Sequence, residues 1–231
     1  MKQIKLILMC LGIITTLIAC KKERPSSTSE VSQDSIYLNF EVVYDEDTDI
    51  TKACARFMSE ERSETFLMLD ERALVSFNGD VLPYNGFPLS AYQKEYAGQI
   101  SGTFVYEDLN NDIFQNSTPL CNAMIFSDEI DTLSRTQEYT FQWEGVPFEE
   151  DEVLSLSYPT QEGNATTQVE GERTANNELT LYPGRLSKMK LGPAEFIIER
   201  QRIIENVEGP IAGGEITVIY RTTPKKVFMV E

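Results

Sequence analysis

From Ser35 to the C-terminus, apolar and polar residues alternate with period two, and turn residues cut that alternation into short pieces. Ile36, Leu38, Phe40, Val42 and Tyr44 share one face, with Tyr37, Asn39 and Glu41 on the other. Alternation of this kind marks a strand with one buried face. Further strands are predicted at 52–58, 65–69, 74–77, 99–106, 123–126, 139–143, 153–158, 166–169, 195–202, 216–221 and 227–230. Acidic, Asn-Gly and Asn-Asp turns at 45–47, 78–80, 85–86 and 110–112 separate them. Helical periodicity is scarce: 60–71 and 183–189 could each hold a turn, the second opened by Pro183 in the favoured first position. Neither makes a crossover helix, so a parallel α/β sheet is not expected.

The expected fold is therefore all-β. Close to 200 ordered residues is too many for a single sandwich of about 100, so two Ig-like β-sandwich domains are expected, at 35–126 and 127–231. The boundary between them falls within 116–136.

The first 24 residues read differently. Lys2 and Lys5 precede an apolar run over 6–18; then Leu17-Ile18-Ala19-Cys20 is followed at once by Lys21-Lys22-Glu23-Arg24. A basic start, a short apolar core and a small residue before a cut form an export signal. The run of roughly 13 residues falls short of the about 20 that a membrane span needs. Cysteine straight after the small residue resembles the lipobox of bacterial lipoproteins. That resemblance implies removal of signal peptide 1–19 and transfer of diacylglycerol to the Cys20 thiol, with acyl chains such as palmitate holding the protein on a membrane. An ordinary secretory signal with a chance cysteine is the competing reading. Residues 20–34, rich in Ser, Pro, Thr and Glu, are expected to form a flexible tether, since they carry too few apolar groups to repay ordering.

Charge and composition narrow the function. The formal net charge is −17 with no histidine. A polyanion repels phosphate backbones, and its adjacent basic pairs, Lys21-Lys22 and Lys225-Lys226, do not make a groove. No nucleic-acid partner is expected. The lack of histidine removes Ser-His-Asp and Cys-His catalysis and the usual zinc sites. The chain is expected to be non-catalytic and to need no cofactor or metal.

Four cysteines become two once Cys10 leaves with the signal and Cys20 is lipidated. Cys54 and Cys121 then either pair as a disulfide or remain as two unreactive thiols. Cys54 alternates with Lys52 and Arg56 on a polar face; Cys121 alternates with Ala123 and Ile125 on an apolar one.

The C-terminal half runs Tyr139-Thr140-Phe141-Gln142-Trp143-Glu144-Gly145, then Leu179-Thr180-Leu181-Tyr182-Pro183-Gly184-Arg185-Leu186. After 196–200 comes Gly213-Gly214-Glu215-Ile216, leading into Tyr220-Arg221. Together with the signal, these segments look like the Ig-like β-sandwich lipoproteins common in Bacteroidota. The resemblance implies an outer-membrane protein of the cell envelope, on the periplasmic face or the cell surface, contacting a protein or glycan. Cys20-Lys21-Lys22-Glu23 resembles the charged signal that sends some such lipoproteins to the surface. Asp34-Ser35-Ile36 and Asp131-Thr132-Leu133 fit that phylum's O-glycosylation motif, which nominates Ser35 and Thr132. Some fimbrial subunits of the phylum are also lipidated double sandwiches that polymerise by strand donation. On that alternative, 225–231 is the donor strand.

Several local patterns suggest sites. Tyr84-Asn85-Gly86-Phe87-Pro88, with Tyr92 and Tyr96 beyond, lacks clean alternation and reads as a loop able to present Tyr84, Phe87, Tyr92 and Tyr96 to a ligand. A loop tucked onto its own sandwich is the plainer alternative. Asp108-Leu109-Asn110-Asn111-Asp112 offers alternating oxygens, but Ile113 and Pro119 replace the glycine and glutamate of a calcium loop, which leaves a polar turn. Asp45, Asp47 and Asp49 read as a solvated acidic turn. Trp143 alternates with Phe141 and Tyr139 as a core face. Glu149-Glu150-Asp151-Glu152 is contiguous, whereas glycoside hydrolysis needs two carboxyls across a cleft; the run is expected to be a solvated hairpin turn, and a carboxylate-only hydrolase has no support from spacing.

Overall fold

The computed structural model describes residues 26–59, 65–86, 89–126, 131–149, 151–160, 163–169, 177–205 and 207–231. The signal, Cys20 and Phe87 lie outside them. The first strands are β1 (Ser26–Ser27), β2 (Tyr37–Asp45), β3 (Ile50–Met58), β4 (Leu67–Met68), β5 (Leu74–Phe77), β6 (Asp80–Val81), β7 (Tyr84–Asn85), β8 (Ala91–Ala97), β9 (Gly102–Glu107) and β10 (Ile113–Thr118). They are followed by β11 (Ile125–Phe126), β12 (Thr132–Ser134), β13 (Tyr139–Glu144), β14 (Glu152–Thr160), β15 (Gly163–Val169), β16 (Glu178–Leu181), β17 (Gly192–Ile204), β18 (Gly214–Arg221) and β19 (Lys225–Val230). A single helical turn, Pro183–Leu186, begins at the proline. The fold is all-β, with its sheets enclosing two hydrophobic cores.

Alternation decides which residues enter each core. In the first, Leu38, Phe40 and Val42 of β2 and Ala53, Ala55 and Phe57 of β3 face Val75 and Phe77 of β5 and Phe104 and Tyr106 of β9. Phe40 stacks on Phe104 with ring centroids 4.4 Å apart and planes 5° from parallel. In the second core, Phe141 and Trp143 of β13 and Leu179 and Leu181 of β16 meet Leu154, Leu156 and Tyr158 of β14, Phe196 and Ile198 of β17, and Val227 and Met229 of β19. Trp143 is thus a core residue, as its strand pattern predicted.

The two cores do not divide at 126/127. Strand β18 pairs in parallel with β2 along its whole length, from Gly214 opposite Leu38 to Arg221 opposite Asp45. Its Ile216, Val218 and Tyr220 belong to the first core. A ten-stranded sheet consequently runs β12-β19-β17-β18-β2-β3-β8-β7, with β14 and β15 branching from β17. The expected unit 127–231 therefore lends a central strand to the expected unit 35–126. Gly214 permits the close approach, because a Cβ there would sit 2.5 Å from the Leu38 carbonyl oxygen.

Two other expectations are corrected. Residues 26–34 are not a free tether. β1 pairs with β4, and Thr28 is fully buried. The Asp70 N–H donates to Thr28 Oγ1 at 3.0 Å, Gln33 Nε2 donates to the Thr28 carbonyl at 2.9 Å, and the Ala212 N–H donates to the Asp34 carbonyl at 2.9 Å. Polar side chains order this stretch by local and tertiary hydrogen bonds, where composition alone offers no apolar gain. The donor-strand reading of 225–231 also fails in the folded chain: β19 is enclosed between β12 and β17, with Val227 and Met229 in the core.

Candidate functional site

The site with most chemistry left unused lies along β17, at the point where its neighbours change. Strand β17 is 13 residues long and carries different partners on its two edges. Along one edge run β18 and then β19, with Thr222 between them; the Thr222 N–H donates to the Ile198 carbonyl at 3.0 Å. The Phe228 N–H turns away from β17 and donates to the Asp131 carbonyl at 2.8 Å. In an antiparallel ladder, hydrogen-bonded and non-bonded pairs alternate. Gly192, Ala194 and Phe196 therefore bond to β19, while the backbone groups of Pro193 and Glu195 point to the opposite edge.

That opposite edge is filled farther along by β14, whose pairing runs from Glu152 opposite Arg202 to Ser157 opposite Ile197. The next β14 residue in phase to bond is Pro159, which has no N–H to give. There the β14–β17 pairing ends, while β14 stays paired with β15 through Thr160. A cleft of about 490 Å3 lies beside it. Tyr158, Ala194 and Val227 line it from the buried side, and Ser157, Pro193, Glu195, Ile197 and Lys226 from the outer side. Glu195 and Lys226 stand directly opposite each other across the β17–β19 ladder, as do Pro193 and the half-exposed Phe228.

A buried ion pair anchors the far end of this ladder. Arg200 is fully buried: Nε donates to Glu152 Oε1 at 2.9 Å, and Nη2 to Glu152 Oε2 at 2.5 Å. Its remaining donors reach the carbonyls of Val146 and Pro147 at 2.9 and 2.8 Å, and the guanidinium carbon lies 5.6 Å from the centre of the Phe148 ring. The expectation of a solvated turn at 149–152 thus fails at Glu152, which is as buried as its partner. Arg202 meets Glu149 and Asp151 beside it. The signal sequence reading lacked was register: Glu152 and Arg200 lie 48 residues apart, and only the β14–β17 pairing brings them together.

The other sequence-predicted residues are mostly engaged by the body. Tyr84 and Tyr92 have ring centroids 5.0 Å apart. Tyr92 Oη accepts the Leu69 N–H at 2.8 Å, and its ring packs edge-on to Phe57. Tyr96 Oη donates to the Phe77 carbonyl at 3.3 Å. Burial raises the pKa of both phenols above its ordinary value. These rings fasten β7 and β8 to the first core. Phe87 lies outside the described residues.

Asp108 Oδ1 accepts the N–H groups of Asn110 and Asp112 at 2.8 and 2.9 Å, the geometry of a closed polar turn. Asp45 Oδ1 likewise accepts from Asp47 N–H at 3.1 Å. Among the described residues, no group of acids, cysteines and histidines gathers as a metal site. Ser35 is half-buried and its hydroxyl donates to the Ser32 carbonyl at 2.7 Å, whereas Thr132 is exposed on β12.

Cys54 and Cys121 are separate buried thiols, so the disulfide alternative is not formed. Successive strand residues point to opposite faces. Cys121 packs in the first core with Ala53 and Ala55, while Cys54 lies between those alanines and points away. Cys121 Sγ donates to the Arg200 carbonyl at 3.2 Å. Burial pushes both thiols up to about 11. Neither is expected to react with a neutral disulfide reagent at pH 8 until the protein is unfolded. Because the folded thiols hold their protons to higher pH than unfolded ones, stability is expected to fall as pH rises from about 9 through about 11. Thiol titration and urea midpoints between pH 8 and 11 check both outcomes; rapid labelling of the native protein at pH 8 would refute them.

No family model matches the chain, and no curated protein matches it. Among solved structures, it is similar to the fibronectin(III)-like modules of CbhA from Clostridium thermocellum, at 7% identity and a TM-score of 0.25, covering 84% of this chain and 92% of that one. It is also similar to a structure from a 1.5-MDa bacterial ice-binding adhesin, at 11% identity and a TM-score of 0.21, covering 86% of this chain and 66% of that one.

Proposed function

We propose that the chain is a lipid-anchored, non-catalytic module of the bacterial cell envelope that recognises a protein or glycan through its β-sheet surfaces. The observation that carries this reading is the shared sheet. β17, β18 and β19 tie both cores into one strand-paired body, which can present an exposed cleft in a constant orientation. The Ala19-Cys20 pair and the basic, apolar start support a lipid anchor, and the resemblance to Bacteroidota lipoproteins supports an outer-membrane location. Of the two glycosylation candidates, Thr132 suits modification better than Ser35, whose hydroxyl is engaged.

The test uses the full chain in its envelope. The wild type is expected to incorporate labelled palmitate and fractionate with membranes, and Cys20→Ala to do neither. Cross-linking in intact envelopes should retrieve a saturable protein or glycan partner, and protease shaving of whole cells identifies the membrane face. Wild type that takes up no palmitate would sink the anchor, and hydrolysis of a glycan or peptide substrate, lost on changing one carboxylate, would sink the non-catalytic reading.

A further inference from the structure

We infer that one end of the body rests on the lipid bilayer, with Ile211 entering the headgroup layer, so that the second core stands away from the membrane. The inference rests on the proposed lipid anchor at Cys20 and adds to it the face that meets the lipid. Its first basis is length. The described chain begins at Ser26, which is paired with Leu67. Ser26 is six residues beyond Cys20, and six residues span at most about 22 Å in any conformation. Acyl chains on Cys20 therefore hold Ser26 close to the lipid surface, whatever path the intervening residues take.

The strand registers place a second feature suited to lipid at the same end. Phe66, beside Leu67, bridges Met58, and Met58 stands opposite Tyr37 at the start of β2. Leu38, the next residue of β2, stands opposite Gly214 at the start of β18. The turn that leads from β17 into Gly214 carries Ile211, which is 85% exposed. Among the described residues, no other large apolar side chain is more than 59% exposed.

That turn is pinned, so the side chain is held outward. The Gly213 N–H donates to the Pro210 carbonyl at 2.8 Å, and the Ala212 N–H to the Asp34 carbonyl at 2.9 Å. Glu208 exchanges two hydrogen bonds of 2.7 Å with the Asn116 side chain. An isoleucine held in water forgoes the gain of burial, and the headgroup boundary of a bilayer supplies it. Asp34 and Glu208 flank the tip, which suits neutral zwitterionic headgroups and disfavours anionic ones.

Strand β17 sets the height. From Ile204, opposite Ile216 near this end, it runs back to Gly192, twelve residues away. At about 3.3 Å per residue that is about 40 Å. Gly192 to Phe196 are the residues that pair with β19, whose Val227 and Met229 lie in the second core. A body standing on Ile211 therefore lifts the cleft beside Lys226 well clear of the lipid. Lying on its flank would instead leave Ile211 in water and bring a chain of net charge −17 broadside to the membrane.

The test uses the acylated full chain, reconstituted in phosphatidylcholine vesicles that carry a headgroup spin-labelled lipid. A fluorophore is placed on Asp34→Cys, beside the tip, or on Lys226→Cys, next to the second core; both positions are exposed. Cys54 and Cys121 are buried and stay unlabelled at neutral pH. Strong quenching is expected at position 34, and none above solution background at position 226. Ile211→Asp is expected to lower the ratio of docked to undocked orientations about tenfold, as the loss of one buried apolar side chain predicts; it is read as lost quenching at position 34. Phe228→Asp, an exposed apolar residue of β19 changed in the same way, should leave that quenching as it was. Should Ile211→Asp shift the urea midpoint, Ile211→Ser gives the same reading without an added charge. Equal quenching at positions 34 and 226, or quenching at 34 that no Ile211 variant changes, would overturn the inference while palmitate uptake still upheld the anchor. A chain that takes up no palmitate would sink the anchor, and this inference with it, before any vesicle is made.

Discussion

Replacing Arg200 by leucine is expected to destabilise the folded protein by about 3–5 kcal/mol, the usual cost of stranding one partner of a buried ion pair. Arg200 and Glu152 are both essentially inaccessible to water. Removing the guanidinium leaves a carboxylate facing the interior and strips the Val146 and Pro147 carbonyls of their donors. Arg200→Lys is expected to recover only part of the loss, because an ammonium group cannot fork to both carboxylate oxygens and both carbonyls. The paired replacement Arg200→Leu with Glu152→Leu should be markedly less damaging than the sum of the single changes, since no charge is then left buried alone. Urea unfolding of wild type, Arg200→Leu, Arg200→Lys, Glu152→Leu and the double variant measures these differences. A midpoint for Arg200→Leu indistinguishable from wild type would show that water reaches this pair and that the pair does not hold β14 to β17.

A fragment ending at residue 126 is expected not to fold, although sequence analysis draws its domain boundary there. The fragment keeps β2, β3, β5 and β9 but loses β18, the strand beside β2. Ile216, Val218 and Tyr220 leave the first core with it. At about 1.5–3 kcal/mol for each buried large side chain, that loss matches much of the 5–15 kcal/mol by which domains are stable. The vacated edge of β2 would also expose a full row of unpaired backbone groups, a template for aggregation. The fragment should show no cooperative urea transition, and adding residues 127–231 in trans should restore one. A cooperative transition in the isolated fragment would mean that β18 is an accessory to the first core.

Much of the fold was legible because alternation is a local signal. The faces of β2, β3, β13 and β18 follow from which residues lie two apart, and Trp143 was placed correctly on that ground. The helical turn at Pro183 followed from one residue's fixed backbone angle. Edge elements were harder to see. β8 carries polar residues on both faces, so its alternation is blurred, and the rings of Tyr92 and Tyr96 looked like loop aromatics rather than clamps on Leu69 and Phe77. The end of the β14–β17 ladder left one trace in the sequence, Pro159, whose missing N–H closes a register that cannot be known until the two strands are paired.

Sequence by itself determined that this chain is built of β-strands and that, with no histidine, histidine-based chemistry is closed to it. These are properties of residue type and of spacing over a few positions. Tertiary structure alone decided which strands lie beside one another. It placed β18 in the first core, buried Glu152 against Arg200, and set Cys54 and Cys121 on opposite sides of a strand. The physical reason is that a strand satisfies half its backbone groups on each edge, and its partners there can come from any distance along the chain.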